Sequence, residues 1–225
     1  MKTLLLWMYK LIRRELLVSL RTPHMILHPL LFFGITLILF PLALTSSPTM
    51  LHTLAPGIVW IVALLAHILS MERFFEQDEA EGILECWLIY PVPLTVIVYA
   101  KIITHWLLTG FLLALMVPVV GIMLSMRASE IAILSVSLFI GTPILSCLGA
   151  LGAAITISLP LRGVLLSLLL FPLWIPVLIL GTGSVTVFMS GLSCHAWLAL
   201  LAAMASITWV GVPPLAACAL RVSQE

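Results

Sequence analysis

Residues 131–158 read IAILSVSLFIGTPILSCLGALGAAITIS and contain no Asp, Glu, Lys or Arg from end to end. Crossing the hydrocarbon of a bilayer takes about 20 apolar residues in an α-helix, and this run exceeds that length. Five more stretches meet the requirement, at about 25–44, 54–71, 96–124, 164–181 and 197–219. Over the whole chain of 225 residues, 63% are hydrophobic and 8% charged, with a mean hydropathy of +1.27. Such a composition leaves too little polar surface to clothe a soluble core. The expected fold class is therefore all-α integral membrane, one domain over 1–225 with six transmembrane helices. Residues 182–196 (TGSVTVFMSGLSCHA) are only weakly apolar and read as an external loop.

Orientation follows from the basic residues at the span ends. An even number of spans puts both termini on one side, and one choice gathers Lys2, Lys10, Arg13, Arg14, Arg21, Arg73, Lys101, Arg162 and Arg221 there, opposite Arg127 alone. Basic residues accumulate on the cytosolic face. Both termini are thus expected in the cytosol, while His52, Arg127, Glu130, Cys194 and His195 face outward. Residues 2–21 (KTLLLWMYKLIRRELLVSLR) place Lys10, Arg13, Arg14 and Arg21 on one helical arc, the pattern of a helix lying in the inner interface. Glu15 falls toward its apolar side, where it needs a partner. No A-x-A site follows, so the segment reads as a retained helix and not as a cleaved signal.

Several chemistries find no footing. Cys86, Cys147, Cys194 and Cys218 are widely spaced, with no C-x-x-C pair and no C-x-x-C-H, so neither a disulfide framework nor a haem attachment site is expected. There is no G-x-x-x-x-G-K-[ST] phosphate loop; energy from ATP has to arrive through another chain. The middles of all six spans lack ionisable acids and bases, unlike ion-coupled carriers. His24 and His28 lie one turn apart without a third ligand nearby, which favours an interfacial role over a metal site; no metal is expected. No nucleophile or acid-base pair stands out.

Candidate functional positions lie elsewhere. Lys101 and His105 share a helix face near the cytosolic end of the third span, fit for a structural hydrogen bond or for substrate contact. Pro143 can bend the fourth span. Pro172 and Pro176 each remove a backbone donor, so the fifth span should bend or locally unwind, either as a packed kink or as a binding site. Gly141, Ser146, Gly149, Ala150, Gly152, Ala153 and Ala154 thin the fourth span for close helix contact.

The exception to this uncharged background is the run MERFFEQDEAEGILECWLIYPVPL at 71–94, with six of the nine acidic residues, Glu72, Glu76, Asp78, Glu79, Glu81 and Glu85. Repulsion by acidic headgroups should push its first half outward into water. Gly82 permits a change of direction and acts as a cap, which puts Glu85 at the third helical position, where a carboxylate meets exposed amide donors. Ile83, Leu84, Trp87, Leu88 and Ile89 form an apolar block, and Pro91 and Pro93 stop the helix before the next span. Segment 72–93 thus reads as a short rigid helix held between two spans, able to transmit a push; a plain solvated loop is the alternative.

The run GILECWLIYPVP resembles the G-x-L-E-x-L-x-x-x-P segment between the second and third spans of ABC-2 type exporter permeases. Phe40-Pro41-Leu42, Ala55-Pro56-Gly57-Ile58-Val59-Trp60, Ala100-Lys101 with His105-Trp106 and Thr109-Gly110, Gly141-Thr142-Pro143 and Arg162-Gly163-Val164-Leu165-Leu166 are, in order and spacing, similar to the haem exporter B (CcmB) family of cytochrome c maturation. That resemblance covers about residues 12–222. It implies a type V exporter-like permease subunit, not itself an enzyme, in a bacterial plasma (inner) membrane or, less commonly in the family, a mitochondrial one. ATP and Mg would be bound by a dimeric ABC ATPase, the A subunit, matched by two permease copies. Haem would be handled by the C subunit, with the small D subunit and the haem chaperone E, whose haem-loaded release ATP hydrolysis would drive; no haem is expected to bind this chain directly and no nucleic acid is implied. Asp78, Glu81, Gly82, Leu84, Glu85, Leu88, Pro91 and Pro93 are the implied ATPase-coupling residues. An ABC-2 exporter of lipid, glycan or drug and a membrane scaffold that moves nothing are the competing readings.

Overall fold

The structure, a computed structural model, describes residues 2–21, 24–43, 48–89, 92–159 and 161–223, with backbone alone for 2–5, 24, 25, 48, 77, 88 and 89. An amphipathic helix, α1 (Lys2–Arg21), precedes α2 (His24–Ala43) and α3 (Pro48–Met71). Two short helices, α4 (Glu76–Ala80) and α5 (Ile83–Ile89), lead to α6 (Leu94–His105), a π-helical turn over Trp106–Gly110 and α7 (Phe111–Met123). The chain closes with α8 (Ala128–Thr156), α9 (Arg162–Met189) and α10 (His195–Val222). Among the described residues six helical stretches are long and apolar enough to cross a membrane, α6 to α7 counting as one.

Burial sorts these spans. About 67% of the apolar window of α3 is buried within the bundle against 17% of that of α2, so α3 and the small-residue helix α8 form the interior while α2, α9 and α10 present apolar flanks outward. Trp60 of α3 is fully buried and shows why α8 and α9 carry glycine opposite it. A Cβ at Gly141 or Gly181 would come within 2.3 or 2.2 Å of its indole ring. Its Nε1–H donates to Ser137 Oγ at 3.3 Å, so one side chain joins three helices. The small residues expected to thin the fourth span, Gly141 through Ala154, are all buried.

Two expectations need correction. Residues 182–196 are not a loop: α9 runs on to Met189, and the turn is confined to 190–194. Its polar residues bond to their own helix, Thr182 Oγ1 to Leu178 O at 2.7 Å, Ser184 Oγ to Gly181 O at 2.7 Å and Thr186 Oγ1 to Thr182 O at 3.0 Å. Of the two outcomes expected at Pro172 and Pro176, bending or local unwinding, the second does not occur, since helix is continuous from Arg162 to Met189. The departure from regular helix falls instead at Trp106–Gly110 in the third span.

Proline in α10 has a visible compensation. Pro213 has no N–H, so the carbonyl of Trp209, four residues back, loses its helical donor. Tyr99 of α6 supplies one, its hydroxyl donating to Trp209 O at 2.9 Å, and the two rings lie 5.9 Å apart. At the end of the bundle away from α1, Glu130 in the first turn of α8 accepts from the Arg127 backbone N–H and from His52 Nε2, each at 2.8 Å. That carboxylate caps α8 and ties it to α3.

Candidate functional site

The charged run 72–89 folds back on the bundle at the α1 end. Phe74 and Phe75 turn inward and are buried, which pins the segment where α3 ends. A turn at Glu81 and Gly82 separates α4 from α5, with Gly82 at φ +66°, a backbone region that costs glycine least. The Gly82 N–H closes α4 by donating to Glu79 O at 3.0 Å. Glu85 is then the third residue of α5, as its position after Gly82 predicts. Leu84 and Trp87 are buried, anchoring α5, while Glu81, Gly82, Glu85 and Cys86 are exposed.

Not all the acidic residues are pushed outward. Asp78 is buried, its carboxylate 2.5 Å from Lys101 Nζ, and Glu79 pairs with Arg162 at the start of α9. Lys101 also reaches Glu15 of α1 at 3.3 Å, so the acid on the apolar side of that helix finds its partner on α6. Three aromatic rings enclose the ammonium, Trp87 at 5.6 Å, Phe75 at 5.8 Å and Phe74 at 5.9 Å from their centroids, within cation–π range. Burial pushes the Asp78 carboxyl above its ordinary value, against the pull and the hydrogen bond of Lys101.

One turn on, His105 is fully committed. The Ser70 hydroxyl donates to His67 O at 2.8 Å, so its oxygen accepts from His105 Nε2–H at 2.9 Å. Nδ1 then accepts from Ser146 Oγ at 3.1 Å. Neither ring nitrogen is left for a ligand, and His105 serves as a link between α3, α6 and α8. Next to it Trp106 Nε1–H donates to Thr142 Oγ1 at 3.0 Å, which holds the π-helical turn against α8. A cavity of about 230 Å³ opens beside these groups, with Arg14, Glu15, Arg73, Asp78, Lys101 and His105 in its walls.

The predicted residues therefore divide. Asp78, Lys101 and His105 meet at one place, and Glu81 lines the same cavity. Gly82, Leu84 and Glu85 form the adjacent hairpin, and Pro93, exposed, precedes α6. The Leu88 side chain and Pro91 lie outside the described residues. Pro143 is half-buried within α8, whereas Pro172 and Pro176 are exposed on the outer side of α9, with Trp174 between them turned inward; none of the three joins the cluster. Sequence reasoning missed the joining of Glu15 to Lys101 and Asp78, though the apolar setting of Glu15 was its signal. Among the described residues no three His, Cys, Asp or Glu side chains gather as metal ligands.

Six apolar spans packed around small-residue helices, with a charged helical hairpin anchored at one end, define a multi-pass α-helical membrane protein. Its sequence matches the model of the CcmB protein family over residues 6–223. The chain belongs to that family. It is 43% identical to heme exporter protein B of Pseudomonas aeruginosa over 95% of this chain and 96% of that one. The corresponding figures are 42%, 96% and 98% for heme exporter protein B of Haemophilus influenzae, and 39%, 96% and 98% for that of Escherichia coli.

Proposed function

We propose that this chain is the membrane permease subunit of a haem export complex in cytochrome c maturation, driven by ATP that a separate ATPase hydrolyses. The observation that carries the coupling role is the α4–α5 hairpin. It is anchored from below by Phe75, Leu84 and Trp87 and presents Glu81, Gly82 and Glu85 outward, as a seat for a partner's groove must. The 225 residues contain no phosphate loop of their own. The relatives' shared name, heme exporter protein B, supports haem as the cargo of the complex, and nothing favours a lipid, glycan or drug exporter or a scaffold.

In this reading a dimeric ABC ATPase binds ATP and Mg and seats two permease copies through their hairpins. The C and D subunits and the chaperone E handle haem; in this chain His105 has both nitrogens engaged and His52 is paired with Glu130. ATP hydrolysis is coupled to release of the haem-loaded chaperone. Both termini and the hairpin lie in the cytosol of a bacterial plasma membrane, following the distribution of basic residues.

The test is purification of the chain expressed with the ATPase and the C, D and E subunits. Copurification of ATPase and C subunit is expected; its failure would overturn the assignment. Within the purified complex, Gly82→Pro and Glu85→Lys are expected to lower chaperone release per ATP hydrolysed at least tenfold. Wild-type release in both variants would remove the hairpin from the coupling path.

A further inference from the structure

We propose that Lys101 is a latch joining the N-terminal helix to the coupling hairpin, so that the position of α4 and α5 under the action of a motor sets how firmly α1 is held against α6. The proposal rests on the hairpin being the motor's seat. Its geometry is a branch point: one ammonium on α6 holds Glu15 of α1 at 3.3 Å and Asp78 of α4 at 2.5 Å. These are separate elements, and α1 otherwise packs chiefly along α6 and only lightly on α2.

One positive charge cannot fully compensate two sheltered carboxylates. Arg14 lies 4.0 Å from Glu15 but is about half exposed, so its help is screened by water. Lys101, Glu15 and Asp78 side chains are 11%, 14% and 9% exposed, where attraction changes steeply with separation. Displacing α4 weakens the Asp78 contact and shifts the ammonium toward Glu15; drawing α4 inward does the reverse. Each position of the hairpin thereby sets a different hold on α1.

The surroundings allow such exchange. The cavity of about 230 Å³ has Arg14, Glu15, Asp78 and Lys101 in its walls, so the lysine can swing without overpacking. The rings of Phe74, Phe75 and Trp87 attract the cation without fixing it to one oxygen. Glu79 with Arg162 ties the other side of α4 to α9, and among the ion pairs of the described residues Lys101 is the group that reaches both α4 and α1.

The test compares Glu15→Gln, Lys101→Met and the triple neutral variant Glu15→Gln/Lys101→Met/Asp78→Asn within the copurified complex. Lys101→Met strands two carboxylates and is expected to reduce copurification of the ATPase. The triple variant removes the ammonium and both carboxylates that it holds together and is expected to recover copurification, while chaperone release per ATP hydrolysed falls at least fivefold. Glu15→Gln keeps the Lys101–Asp78 pair and is expected to lower that ratio two- to fivefold, which decides the matter even if the triple variant fails to assemble. A wild-type ratio in Glu15→Gln overturns the latch. Glu85→Lys, run in parallel, separates the two readings: loss there beside a wild-type Glu15→Gln condemns the latch alone, and a wild-type ratio in both removes the hairpin as well.

Discussion

Lys101 illustrates how one residue can be costly to lose and cheap to neutralise together with its partners. Removing a single member of a buried ion pair leaves an uncompensated charge, at roughly 3–5 kcal/mol. Lys101→Ala is therefore expected to lower the melting temperature in detergent sharply, and Asp78→Asn, which leaves Lys101 with Glu15 at 3.3 Å, only slightly. The pH dependence has a definite sign. Burial raises the folded Asp78 carboxyl above 3.8 despite Lys101. Between 3.8 and that folded value the folded chain holds more proton than the unfolded chain. Stability from this group is thus greatest below the window and declines as pH rises through it. Melting temperature measured upward from about pH 4 should fall more steeply in the wild type than in Asp78→Asn. The opposite difference would mean that the attraction of Lys101 outweighs burial.

At the scale of elements, helix contacts rest on matched pairs that a single substitution exposes. Tyr99→Phe leaves the Trp209 carbonyl without the donor that replaces the missing N–H of Pro213, and should cost about 1–2 kcal/mol. In a Pro213→Ala background the backbone supplies that donor again, so the same substitution should cost measurably less; an unchanged cost in thermal unfolding would contradict the account. Gly181→Ala drives a Cβ to 2.2 Å from Trp60 and should destabilise by about 1–3 kcal/mol, with Trp60→Phe partly relieving it. Much of this level was legible in the sequence, because hydrocarbon imposes length and apolarity on every span. The small residues of α8 and the turn at Gly82 were equally plain. The end of α9 was not, since Thr182, Ser184 and Thr186 look like loop until their hydroxyls are seen bonding to their own helix. The Lys101 cluster was half legible: spacing put Lys101 beside His105, but only folding brings Glu15 and Asp78 to it across three elements.

For the whole molecule, the two ends of the bundle are chemically unlike. One end holds α1, the α4–α5 hairpin and the start of α9, with Arg14, Arg73, Lys101 and Arg162. The other holds Arg127 and the capped pair His52 and Glu130. A charge division this uneven favours insertion with the basic end in the cytosol, and the cysteines offer a direct check. Cys86 on α5 is exposed, whereas Cys194 at the opposite end is buried. Two variants suffice, one keeping Cys86 as the lone cysteine and one carrying only Ser190→Cys, at the exposed turn after α9. A membrane-impermeant maleimide is expected to label position 190 in intact spheroplasts and Cys86 only in inverted vesicles. The reverse pattern would turn the molecule over, put the hairpin beyond reach of a cytosolic ATPase and remove the coupling function, whatever the partners that copurify.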